Sequence, residues 1–88
     1  MNHHFMTDEE MCIIFAANLR FLRKSKDWPI SQKTLARLIH APRKTIINYE
    51  SGSASLSACV IYRIAVYFHI PMEELLTKKL YEERKNKL

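Results

Sequence analysis

Eighty-eight residues, almost half of them apolar, suffice for one compact domain without disulfides or metal and are too few for two. One Gly and three Pro favour helices with short connections over a β-rich fold. The formal charge of +5 is uneven: residues 20–63 hold nine Lys and Arg against Asp27 and Glu50, while residues 1–19 hold three acids and no Lys or Arg. A positive field centred on the middle of the chain points to an anionic partner, against the plainer reading of a solvated basic surface. No apolar run approaches the roughly 20 residues of a membrane span. The run over residues 11–17 is short and follows acids, unlike a secretory signal. Cys12 and Cys59 sit in apolar helical contexts and are expected as core thiols, a bridge being unusual in a reducing compartment. The chain is expected to be soluble and cytoplasmic.

Residues 1–6 lack periodicity and are expected to be frayed or disordered. His3 and His4 are adjacent, and with Cys12 as the one nearby soft ligand no metal-site spacing arises. Neither metal nor cofactor is expected. Thr7 and Glu10 form a capping-box pattern that opens a first helix over residues 8–24. Met11, Phe15, Leu19 and Leu22 make its apolar side, flanked by Ile14 and Asn18. SKDWPI interrupts the pattern at Pro29, with Trp28 expected to pack over the junction.

Ser31 is an N-cap for a second helix over residues 32–39, whose apolar side is Leu35, Leu38 and Ile39. Ala36 is small where a neighbouring helix would cross. A tight turn, His40-Ala41-Pro42, leads to a third helix over residues 43–49. Ile46 and Tyr49 face inward there, and Arg43, Lys44, Ile47 and Asn48 face outward. Gly52 suits a positive φ in the small-residue loop that follows. A fourth helix over residues 57–69 offers Val60, Ile61, Ile64, Ala65 and Phe68 to the core. Tyr62, Val66 and Tyr67 lie outside that stripe, so this helix needs cover on more than one side. Ile70-Pro71 starts a last helix with Leu75, Leu76 and Leu80 inward. Residues 82–88 follow as a helical extension or a tail. The reading is one all-α, compact five-helix domain over residues 7–81.

A helix presenting Arg, Lys and Asn beside a second helix is the form a major-groove reader takes. Gln32, Leu35-Ala36, Thr45-Ile46 and Tyr49-Glu50-Ser51-Gly52 stand in the order of a helix-turn-helix. Leu19-Arg20-x-Leu22-Arg23 precedes them; Ile64-Ala65, Phe68, Ile70 and Glu74-Leu75-Leu76 follow. Over residues 13–77 the chain resembles the Xre or Cro/lambda-repressor-like family of transcriptional regulators, with the motif at residues 31–52. The resemblance implies a lambda-repressor-like five-helix domain in which Gln32 clamps a DNA phosphate. It also implies that Arg43, Lys44, Ile47 and Asn48 stand at base-reading positions, and that Glu50 pairs with Arg23. Lys33 is placed to add charge beside Gln32, and Ser51 and Ser53 are candidate phosphate contacts after the third helix.

The residue chemistry suits those roles without assigning a base. Arg43 and Lys44 can donate to guanine O6 and N7 or hold phosphate, and Asn48 can bond an adenine edge. Ile47 suits a thymine methyl or a contact within a dimer or the core. Two positions depart from the family: His40 replaces the glycine of the motif turn, and Pro42 replaces the Ser or Thr N-cap of the reading helix. Pro42 caps nothing, which leaves Arg43 and Lys44 alternatives for the first reading position.

The implied function is sequence-specific binding of double-stranded DNA by a transcriptional regulator, a repressor working as a homodimer on a pseudo-palindromic operator. Two reading helices would then sit about 34 Å apart. The apolar surplus of the fourth helix and the region of Leu75, Leu76, Leu80 and Tyr81 are interface candidates. The alternative is a protein-interaction module of the same fold, such as an antitoxin or an anti-repressor partner; the concentrated positive charge argues against it. An enzyme is not expected, because no nucleophile–base pair, metal set or glycine-rich phosphate loop appears. No small-molecule effector is evident.

Overall fold

Local signals start the fold. Thr7 Oγ1 accepts from Glu10 N at 3.1 Å while Thr7 N donates to Glu10 Oε1 at 3.2 Å, the reciprocal box that satisfies two orphan amides at a helix start. Asp8, Glu9 and Glu10 fill the first turn and Arg23 and Lys24 the last, each complementing the helix dipole. This helix is α1 (Asp8–Ser25), followed by α2 (Gln32–Leu38), α3 (Arg43–Ser51), α4 (Ala58–Phe68) and α5 (Met72–Thr77). The computed structural model describes residues 5–25, 29–52 and 55–82, and no strand occurs among them.

α1 packs against α3 and α5, α2 against α3, and α4 against α5. Phe15 and Leu19 of α1 meet Leu35, Ile46, Ile64 and Leu75, one from each other helix, in a common core where all six are fully buried. Phe15 meets Tyr49 edge to face, with ring centroids 5.6 Å apart. α1 therefore carries the reading-helix candidate α3 on one side and α5 on the other.

Three sequence expectations need correcting. The last helix does not run on to Leu80: α5 stops at Thr77, Lys78 is extended at φ −105° and ψ 130°, and Leu80–Glu82 turn helical again as a sixth segment. The cause is Asn18 of α1, fully buried, whose Nδ2 donates to Leu75 O at 2.9 Å and Lys78 O at 2.7 Å, while its Oδ1 accepts from Leu80 N at 3.0 Å. A buried amide with three main-chain partners holds the backbone in the break. Second, Leu38 is 46 % exposed, because α2 is a single short helix whose buried side is Leu35 and Ala36, with Ile39 following. Third, the cysteines are not core thiols: Cys59 is exposed in the first turn of α4 and Cys12 is half-buried.

The expectations for residues 1–4, Trp28 and residues 83–88 fall outside the described residues. Phe5, which is described, is 87 % exposed.

Candidate nucleic-acid interface

α2 starts on Ser31, whose Oγ accepts from Thr34 N at 3.0 Å. It ends in a Schellman closure, with His40 N donating to Arg37 O at 3.3 Å and Ala41 N to Ala36 O at 2.9 Å. The closure needs a left-handed residue, and His40 supplies it at φ 58°. α4 ends the same way: His69, also at φ 58°, bonds Val66 O, and Ile70 N bonds Ala65 O. Histidine enters this region several-fold more readily than most side chains, though less easily than glycine. The α2–α3 turn is also held from outside, since Arg63 Nη1 of α4 donates to His40 O at 3.2 Å and Ile39 O at 3.5 Å.

Pro42 occupies the N-cap of α3 at φ −65° and ψ 145° with no side-chain cap bond; its carbonyl receives Thr45 N at 3.0 Å. Arg43 is therefore the first helical residue and Lys44 the second. Both are exposed, and no acid shares their turn. Cations at a helix N-terminus oppose its dipole. Ile47 and Asn48 continue the same exposed stripe, while Ile46, Tyr49 and Glu50 are buried on the other side. Ile47 is 41 % exposed, so it is not part of the core.

The other expected contacts fall at the ends of α2 and α3. Lys33 is exposed in the first turn of α2, and Ser51 is exposed at the end of α3 with its hydroxyl donating to Asn48 O at 2.6 Å. Ser53 lies outside the described residues. Gln32 is half-buried, and its Nε2 donates to Glu50 Oε1 at 3.1 Å. Glu50 also receives both arms of Arg23: Nε to Oε2 at 2.6 Å and Nη2 to Oε1 at 2.9 Å, a bidentate fork. The third nitrogen of Arg23, Nη1, donates to Ile30 O at 2.9 Å. The pair is well shielded, with side chains 11 % and 5 % exposed. The hydrogen bond to Glu50, helped by its charge and opposed by burial, holds the Arg23 guanidinium above its ordinary value.

Two arginines in this region were not singled out by sequence reasoning. Arg20 Nη1 donates to the main-chain carbonyl of Glu50, and Arg63 holds the motif turn. Arg20 stands three residues before Arg23 and so on the same side of α1, a spacing that could have placed both on one neighbour. Arg63 reaches a turn 23 residues away in the chain, for which no local signal exists.

An open cleft of about 730 Å³ lies at the starts of α1 and α4, and its lining includes Met11, Ile13, Leu56 and Met72. Its ionisable carboxylates are Asp8 and Glu9, both at the exposed start of α1. The described residues hold no group of three or more His, Cys, Asp or Glu that could bind a metal, and no helix long and apolar enough to cross a membrane.

No curated protein and no solved structure matches the chain. A family model described as a helix-turn-helix domain matches residues 16–81, which takes in α2 to α5 and the larger part of α1. With that fraction of the sequence covered and the α2–turn–α3 unit at its centre, the chain belongs to the helix-turn-helix domain family.

Proposed function

We propose that this chain is a sequence-specific DNA-binding transcriptional regulator of the Xre or Cro/lambda-repressor-like kind, and that it represses by occupying its operator. The observation that carries this reading is the exposed stripe of α3. Arg43, Lys44, Ile47 and Asn48 share one face, the opposite face is buried, and the two cations sit where the helix's own dipole disfavours them. A row of phosphates supplies the missing counter-charge. Arg43 and Lys44 then face guanine or the flanking phosphates, Asn48 an adenine edge, and Ile47 a thymine methyl.

Gln32 suits a phosphate even while bonded to Glu50, because Nε2 carries two hydrogens and Glu50 takes one. Lys33 adds charge beside it, and Ser51 and Ser53 supply polar groups at the other end of α3. In this reading the Arg23–Glu50 pair is structural: it fixes the end of α3 against α1 and neutralises the one acid that would otherwise face DNA. Two copies acting on a pseudo-palindrome would extend the readout beyond the few base pairs of one helix. Tyr62 and Val66, 59 % and 53 % exposed on α4, offer apolar surface for that pairing. The reading contains no catalytic step and no cofactor, and it places the protein in the cytoplasm.

Gel-shift titration against a duplex recovered from a random pool tests it. Arg43→Ala and Asn48→Ala should each weaken the specific complex by about 5- to 150-fold, the equivalent of about 1–3 kcal/mol per lost base contact. Wild-type affinity in both variants would remove α3 from the interface.

A further inference from the structure

We propose that Arg20, on α1 outside the motif, grips the DNA backbone beside the end of α3. The inference rests on α3 being the DNA-facing helix and adds a phosphate contact to that surface.

Two arginines one turn apart on α1 both reach Glu50, and they differ in what they have left to offer. Arg23 is turned inward: each of its three nitrogens has a protein partner, and its side chain is only 11 % exposed. Arg20 is an exposed residue and uses Nη1 on the Glu50 carbonyl. A guanidinium carries five N–H donors in a planar fork, so that bond fixes the group and leaves donors for a second acceptor. A guanidinium already fixed by one bond loses little further freedom on meeting a second acceptor.

The place matters as much as the donor. The last turn of α3 holds no basic residue of its own, and its terminal carbonyls form the negative end of the helix. A phosphate approaching that end would be repelled. Arg20 covers one of those carbonyls and reverses the local sign. Gln32, bonded to the Glu50 side chain, stands on the same residue from the α2 side. One amide and one guanidinium thus converge on the two ends of a single glutamate, as a backbone cradle would require.

Substitution at Arg20 separates charge from packing. Arg20→Gln keeps a donor for the Glu50 carbonyl and removes the charge; Arg20→Lys keeps the charge and loses the fork. Fluorescence anisotropy is read on a short mixed-sequence duplex across about 50–200 mM KCl, with thermal melting of each variant alongside. In Arg20→Gln the slope of log K against log[salt] should become shallower by about 0.9 for each bound protomer. Affinity should fall about ten-fold on every sequence tried, with little change in melting. Arg20→Lys should keep the wild-type slope. Lys79→Gln, the same charge change outside the motif helices, should also keep it. Unchanged slope in Arg20→Gln, whether or not affinity falls, overturns the proposal, because a residue that only holds α3 in place does not release counterions. Absence of salt-dependent binding by the wild-type protein overturns the underlying reading together with it.

Discussion

Gln32 and Glu50 are joined by one hydrogen bond, Nε2 to Oε1 at 3.1 Å, which ties the start of α2 to the end of α3. The same carboxylate oxygen receives Arg23 Nη2 at 2.9 Å, so three helices converge on one buried acid. Removing either charged member strands the other in a shielded site. Arg23→Ala and Glu50→Ala are each expected to destabilise by on the order of 3–5 kcal/mol, measured by urea unfolding. Gln32→Ala, which removes a neutral donor, should cost about 1 kcal/mol. The Arg23/Glu50 double variant should be more stable than the sum of the single losses predicts. The raised Arg23 value makes its contribution fully present below the unfolded value and lost only as pH rises through the folded one. The titration of Arg23 should therefore leave stability flat across neutral pH.

Asn18 makes a second, sharper prediction. Its Nδ2 faces two carbonyls and its Oδ1 faces the Leu80 amide, so side-chain shape without the amide cannot replace it. Asn18→Leu should cost about 3 kcal/mol, since it leaves buried main-chain groups unpaired. Asn18→Asp should be worse at neutral pH, because a carboxylate places negative charge against the Leu75 and Lys78 carbonyls. Protonation restores a donor, so the folded value of Asp at this site would be raised. The variant should then recover stability as pH falls from 7 toward 4. Equal loss at both pH values in urea unfolding would contradict the geometry.

Backbone conformation gives a third prediction. His40 and His69 both occupy left-handed closures at φ 58°, where a side chain costs about 1–2 kcal/mol and glycine does not. His40→Gly and His69→Gly should each raise stability by about 0.5–1 kcal/mol after glycine's own entropy is counted. Gly52 is the converse case at φ 79°. A Cβ there would meet Ala16 Cβ at 3.7 Å, an ordinary contact, so Gly52→Ala should lose about 1 kcal/mol from backbone strain alone. Thermal melts of the three variants would show two rises and one fall.

What the sequence could reveal followed the range of the interactions. The Thr7–Glu10 box, the Ser31 cap and the left-handed Gly52 are decided within a few residues, and the sequence pattern placed each of them. The inward and outward faces of α3 follow from helical spacing, so its exposed stripe is legible in the sequence. The end of α5 was not, because Asn18 decides it from 57 to 62 residues away in the chain. Leu38 and Cys59 misled for a different reason: a seven-residue α2 and the first turn of α4 are too short for composition to say which side is covered. Arg20 bonds a main-chain carbonyl of another helix and Arg63 those of the α2–α3 turn, a role that residue type does not signal.

The central claim, that the exposed stripe of α3 reads DNA, is tested most directly by selection from a random duplex pool with the wild-type protein and Asn48→Ala in parallel. The wild type should enrich two inverted half-sites with centres about one helical turn, 10 base pairs, or a multiple of it apart. Asn48→Ala should recover the same arrangement with preference relaxed at one position in each half-site. No enriched motif from the wild type, or an identical motif from both proteins, would contradict the claim.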